Sequence, residues 1–107
     1  MSMDAVFRAL ADPVRRELLD SLRERGGQTL GELCEGKGMT RQAVTKHLAV
    51  LEGANLVATE KRGREKLHYL NPVPIQEIAD RWIGKYDRGV LTALAKLKRH
   101  LEGDTDG

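Results

Sequence analysis

The run Thr40-Arg41-Gln42-Ala43-Val44-Thr45-Lys46-His47-Leu48-Ala49-Val50-Leu51 gathers side chains suited to reading a polyanion. At about 100° per residue, Val44, Leu48 and Leu51 share one side of a helix. Gln42, Thr45, Lys46 and Ala49 share the other, with Arg41 at its edge. That outer arc holds small and hydrogen-bonding side chains and no carboxylate. A helix needing only a solvated face usually mixes Glu with Lys, whereas repulsion by phosphate is a reason to keep acids away. Farther along, Lys61-Arg62-Gly63-Arg64-Glu65-Lys66 supplies a second group of bases around a glycine turn. The chemistry implied is non-covalent recognition of double-stranded DNA, with a helix in the major groove and a ribbon on adjacent phosphates.

Composition sets the frame for those residues. A chain of 107 residues, 32% charged and only 4% aromatic, suits one small, mainly helical domain. The net charge of +2 is too small to announce a nucleic-acid binder, but its distribution is uneven. Thr40 to Leu70 carries six bases (Arg41, Lys46, Lys61, Arg62, Arg64, Lys66) against three acids (Glu52, Glu60, Glu65), a local +3. The end of the chain carries Glu102, Asp104 and Asp106 and no base after His100. One cysteine, Cys34, leaves no internal disulfide and fits a reducing compartment. No apolar run reaches the length of a membrane span, and Asp4 and Arg8 interrupt any leader-like pattern. A cytoplasmic location without membrane contact is expected.

Apolar spacing then places the supporting elements. Met3, Val6, Phe7 and Leu10 predict a first helix over 3–10. Asp12-Pro13 is an N-cap followed by a proline suited to the first helical position. Val14, Leu18, Leu19 and Leu22 make the next helix amphipathic, and Gly26-Gly27 stops it near Arg25. Leu30, Leu33 and Cys34 mark a brief third helix, Gly36 and Gly38 a turn, and Thr40 the N-cap of the fourth. Gly53 and Asn55 end that helix. Strands over Val57–Lys61 and Glu65–Leu70 follow, with Leu67 and Tyr69 on a buried face and Lys66 and His68 on a wet one. After Asn71-Pro72 and Pro74, the apolar series Ile75, Ile78, Trp82, Tyr86, Val90, Leu94, Leu97 and Leu101 predicts one long helix over 72–102, weakened by Gly84 and Gly89.

The expected fold is mainly α with a small β-hairpin wing, a winged helix-turn-helix in the order α-α-α-α-β-β-α, forming one domain over 1–107. The helix-turn-helix spans 30–53, the wing 57–70 and a flexible tail 103–107. A helix of about 27 residues, roughly 40 Å long, exceeds what so small a domain covers. Helices 3–10 and 72–102 are therefore expected to dimerise through Met3, Val6, Phe7, Leu10, Ile78, Trp82, Tyr86, Val90, Leu94 and Leu97.

Several segments, collinear over residues 5–101, resemble the ArsR/SmtB-type winged-helix repressors: Ala9-Leu10-Ala11-Asp12-Pro13-Val14-Arg15-Arg16-Glu17-Leu18-Leu19, Gly31-Glu32-Leu33-Cys34, Arg41 to Leu51, and the Gly63-Arg64…Tyr69-Leu70-Asn71-Pro72 wing exit. The resemblance implies a homodimeric repressor on an imperfect palindrome near its own promoter, released by an effector where one exists. Carried over by position, Arg41, Gln42 and Thr45 read bases while Lys46 binds phosphate. Thr40 and His47 flank them, and Lys61, Arg62, Arg64 and Lys66 take the backbone or minor groove.

Departures from that pattern narrow the expectations. Metal-sensing members resemble one another in paired cysteines near the position of Cys34, or in Asp/His and His/Glu pairs on the final helix. Here Cys34 has no thiol partner, Asp80 is followed at two places by Trp82, and His100 stands alone. Neither a metal site nor another cofactor is expected. A thiol- or small-molecule-responsive repressor sensing through Cys34 or the Trp82 region stays open, as does an adaptor that has lost DNA contact. The inducer is unknown. Arg15 and Arg16 stand near a helix start, unfavourably for cations, and answer either an acid or a DNA phosphate. No nucleophile set, phosphate-cradling glycine loop or catalytic carboxylate pair occurs at usable spacing, so no enzyme is expected.

Overall fold

The computed structural model describes residues 3–83 and 88–102. Its elements are α1 (Met3–Leu10), α2 (Pro13–Glu24), α3 (Leu30–Cys34), α4 (Arg41–Gly53), β1 (Val57–Arg62), β2 (Glu65–Leu70), α5 (Val73–Trp82) and α6 (Arg88–Leu101). Internal contacts divide the chain into a unit ending at Gln76 and a second beginning at Glu77. In the first, Leu18, Leu19 and Leu22 of α2, Leu33 of α3, Val44, Leu48 and Leu51 of α4, and Leu56 and Val57 form the core. Burial of such side chains is the main favourable term in folding, about 1.5–3 kcal/mol for each large one.

Capping explains where the helices begin. Asp12 Oδ1 accepts the Val14 and Arg15 N–H groups at 2.8 and 3.1 Å, with Pro13 in the first turn. The Arg15 N–H foremost holds that carboxyl below its usual range. Thr40 Oγ1 accepts the Ala43 N–H at 3.0 Å and starts α4. The end of α4 uses Asn55, at φ 62°, a left-handed conformation that asparagine tolerates better than most residues.

Arg15 and Arg16 find a partner that the sequence left open. Arg15 Nε donates to the Ala9 carbonyl at 2.8 Å and its Nη2 to the Arg8 carbonyl at 3.0 Å. Arg16 Nη1 donates to the Leu10 carbonyl at 2.7 Å. These oxygens are at the C-terminus of α1, where the last carbonyls lack helical donors and the dipole is negative. Two cations misplaced for their own helix are well placed for its neighbour.

The wing is a two-stranded antiparallel sheet pairing Val57 with Leu70 through Arg62 with Glu65. A two-residue turn joins the strands, and Gly63 takes φ +63° there, which glycine adopts without strain. The expected wet face of β2 needs correction at His68, which is only 4% exposed. Gln28 forms an isolated bridge to His68, with His68 N–H donating to the Gln28 carbonyl at 2.8 Å. His68 Nδ1 is 2.9 Å from the same oxygen. Residue 28 thus acts as a third strand one residue long, and alternation turns His68 toward the core while Lys66, on the same face but nearer the tip, reaches solvent. Gln28, itself buried, donates through Nε2 to the Ser21 and Arg25 carbonyls at 3.0 and 2.7 Å.

The single helix expected over 72–102 is also corrected. The described residues there form two helices, α5 ending at Trp82 and α6 beginning at Arg88. In sequence Gly84 falls between them and Gly89 is the second residue of α6, and glycine costs about 1 kcal/mol relative to alanine inside a helix. Tyr86 and the 103–107 tail lie outside the described residues. No helix among the described residues is long and apolar enough to cross a membrane.

Candidate nucleic-acid interface

Helix α4 carries its chemistry outward. Arg41, Gln42, Thr45, Lys46 and Ala49 are all exposed, opposite the buried Val44, Leu48 and Leu51. One flank of this face borders an open groove of about 800 Å³ between α3, α4 and the wing, lined by Gly31, Arg41, Thr45, Ala49, Arg64 and Lys66 among others. Arg41 leans toward α3, its Nη1 lying 3.6 Å from where a Cβ on Gly31 would stand. Thr40 is exposed and holds the cap.

The wing cations differ in their surroundings. Arg62 pairs with Glu60 at 2.8 Å, and Lys66 lies 3.6 Å from Glu52 of α4. Lys61 and Arg64 have no acid within ion-pair distance among the described residues. Lys61 and Lys66 are direct cross-strand partners, and like charges placed opposite each other destabilise a sheet. Glu52 relieves part of that repulsion, and a polyanion against the wing relieves more. Sequence reading does not single out Glu52 on this surface, because only the folded hairpin brings it to Lys66.

Helix α3, the wall opposite the wing, starts with a reciprocal cap. Thr29 Oγ1 accepts the Glu32 N–H at 3.2 Å, and Glu32 Oε1 accepts the Thr29 N–H at 2.9 Å. The Thr-x-x-Glu spacing is a readable sign of this arrangement. Arg25 Nη1 donates to Glu32 Oε2 at 2.8 Å. The Thr29 N–H first, then Arg25, lower the Glu32 pKa from 4.5 to about 2. Since the folded value lies below the unfolded one, this stabilisation is complete above pH 4.5 and is lost as pH falls toward about 2. Glu32→Gln is expected to flatten the acid side of a stability-against-pH curve in that window. A curve parallel to that of the unsubstituted protein would show that Glu32 is not responsible.

His47 is half-buried on the other flank of α4, where Arg15 Nη1 donates to its Nδ1 at 3.3 Å. Cys34 is a half-buried free thiol. Among the described residues no group of three or more His, Cys, Asp or Glu side chains is placed to hold a metal ion.

Comparison with known proteins places this geometry. A family model described as a helix-turn-helix domain matches residues 10–60. The chain is 41% identical over 86 residues to the uncharacterised HTH-type transcriptional regulator YuzN of Bacillus subtilis (strain 168), covering 75% of this chain and 94% of that protein. It is 31% identical to the transcriptional repressor SdpR of the same organism, over 70% of this chain and 82% of that one. A solved ArsR-like transcriptional regulator from Rhodococcus sp. RHA1 superposes with a TM-score of 0.68 at 28% identity, covering 97% of this chain and 87% of the other. The chain belongs to the ArsR/SmtB-type family of winged helix-turn-helix repressors.

As an ArsR/SmtB-type protein it is a DNA-binding transcriptional regulator. Within that family framework α3 and α4 are the helix-turn-helix and β1–β2 the wing. Of the apolar residues expected at a subunit interface, Val6 is 3% exposed and packs in its own core. Met3, Leu10 and Ile78 are half-buried. Phe7 at 45% and Trp82 at 49% remain open, as do Leu94 and Leu97.

Proposed function

We propose that this ArsR/SmtB-type regulator is a cytoplasmic homodimer that represses transcription by occupying an imperfect palindrome near its own promoter. Arg41 and Gln42 pair with purine edges in the major groove, Thr45 meets a base or a thymine methyl, and Lys46 binds phosphate. Lys61, Arg62, Arg64 and Lys66 hold the flanking backbone. The observation that carries this reading is the exposed face of α4 from Arg41 to Ala49, beside a groove whose far wall bears wing cations and whose one α4 carboxylate, Glu52, faces Lys66. Dimerisation is supported by α6, whose described side chains from Thr92 to Leu101 are all exposed. Its Leu94, Leu97 and Leu101 form one apolar stripe that a second subunit would cover.

Footprinting on the DNA flanking its own gene tests the reading. The expected result is two symmetric half-sites centred about 34 Å apart, one duplex turn. Arg41→Ala or Gln42→Ala is expected to cost about 1–3 kcal/mol per half-site and relax base preference at one position in each. Variants that bind cognate and random duplexes as the unsubstituted protein does would show that α4 is not the reading helix.

A further inference from the structure

Arg15 is only 15% exposed at its side chain, and three of its nitrogens are engaged. Nε and Nη2 are anchored on the Ala9 and Arg8 carbonyls at 2.8 and 3.0 Å. Nη1 then points at His47 Nδ1, 3.3 Å away, with Asp12 Oδ2 at 4.0 Å behind it. A guanidinium has donors only, so Nδ1 of His47 must accept, and the proton of the neutral ring sits on Nε2. Among the described residues Nε2 has no hydrogen-bond partner, and no buried side-chain nitrogen or oxygen is left unpartnered, so Nε2 meets solvent. His47 follows Lys46 on α4, at the border of the exposed face.

We propose that Arg15 is a positioning residue for DNA binding: locked onto the C-terminus of α1, it orients the His47 ring so that Nε2–H donates to a backbone phosphate beside α4. The inference rests on the reading that α4 lies against DNA. It adds a contact whose donor is neutral, so it strengthens binding to every sequence alike and releases no counterion of its own. It also ties the carbonyl end of α1 to the reading helix, so a displacement of α1 is transmitted to the ring.

The test compares the full chain with Arg15→Met, His47→Ala and the double variant. Affinity is measured for the upstream duplex and for a random duplex across a salt series. Each single substitution is expected to weaken both duplexes by about ten- to hundredfold per subunit, since each half of the dimer loses one hydrogen bond to a charged group. The double variant should lose no more than the weaker-binding single, and the salt slope should stay unchanged. Losses that multiply would make the two residues independent and overturn the proposal. A slope reduced in Arg15→Met would place Arg15 itself on phosphate, with the same consequence. Since Arg15→Met also removes caps from α1, the ring is examined in the unsubstituted protein by long-range proton–nitrogen correlation with the imidazole neutral. Nδ1 must be unprotonated, and a proton found there overturns the proposal without any variant. Failure of the unsubstituted protein to bind either duplex would instead remove the DNA reading beneath it.

Discussion

Replacing Lys61 and Arg64 together by glutamine is expected to weaken DNA binding on the order of a hundredfold or more and to flatten its salt dependence. These wing cations have no acid partner among the described residues, whereas Arg62 is held by Glu60 and Lys66 by Glu52. Each phosphate neutralised contributes about 0.9 to the slope of log affinity against log salt. Two positions in each of two subunits therefore predict a slope lower by about 3–4. On the proposed reading these residues meet backbone rather than bases, so cognate and random duplexes should lose affinity in parallel. Lys61 is exposed on β1 and Arg64 exposed in the turn, so the melting temperature should hardly change. A slope that stays the same would mean that the wing does not touch DNA.

Leu51→Ala is expected to produce the largest loss of stability, about 2–5 kcal/mol. Leu51 is fully buried on α4, in the same core as Leu18, Leu33 and Leu56. Removing it deletes apolar contact and leaves a cavity that rigid neighbours fill only in part. A small domain is stable by only about 5–15 kcal/mol, so the midpoint of thermal unfolding should fall by about 10 °C or more. Val50→Ala, next along the same helix but exposed, should change stability by at most about 0.5 kcal/mol. Equal losses at the two positions would show that the orientation of α4 has been misassigned.

Much of the fold could be read from local signals because local physics produces it. The Asp12 and Thr40 caps, the Gly63 turn and the apolar sides of α2 and α4 depend on residues a few positions apart, and the structure has them where spacing puts them. The outward face of α4 follows from the same periodicity. What escaped reading involves partners far apart in the chain. The Gln28–His68 bridge joins positions 40 residues apart, and no pattern in either segment announces it. Arg15 reaches 32 residues along the chain to His47, and Glu52 meets Lys66 only once the hairpin has closed.

The amino-acid order alone determined the helices, the hairpin and the exposed Arg41–Ala49 face, because helical and strand periodicity act over a few residues. Tertiary structure decided which polar groups are spent internally: His68 on a main-chain bridge, and Arg15 and Arg16 on the end of α1. It also decided that Val6 packs inside its own subunit and that two helices occupy the stretch where periodicity suggests one. The reason is physical: a buried donor or acceptor must find a partner somewhere in the folded chain, and the sequence names the groups but not their distances.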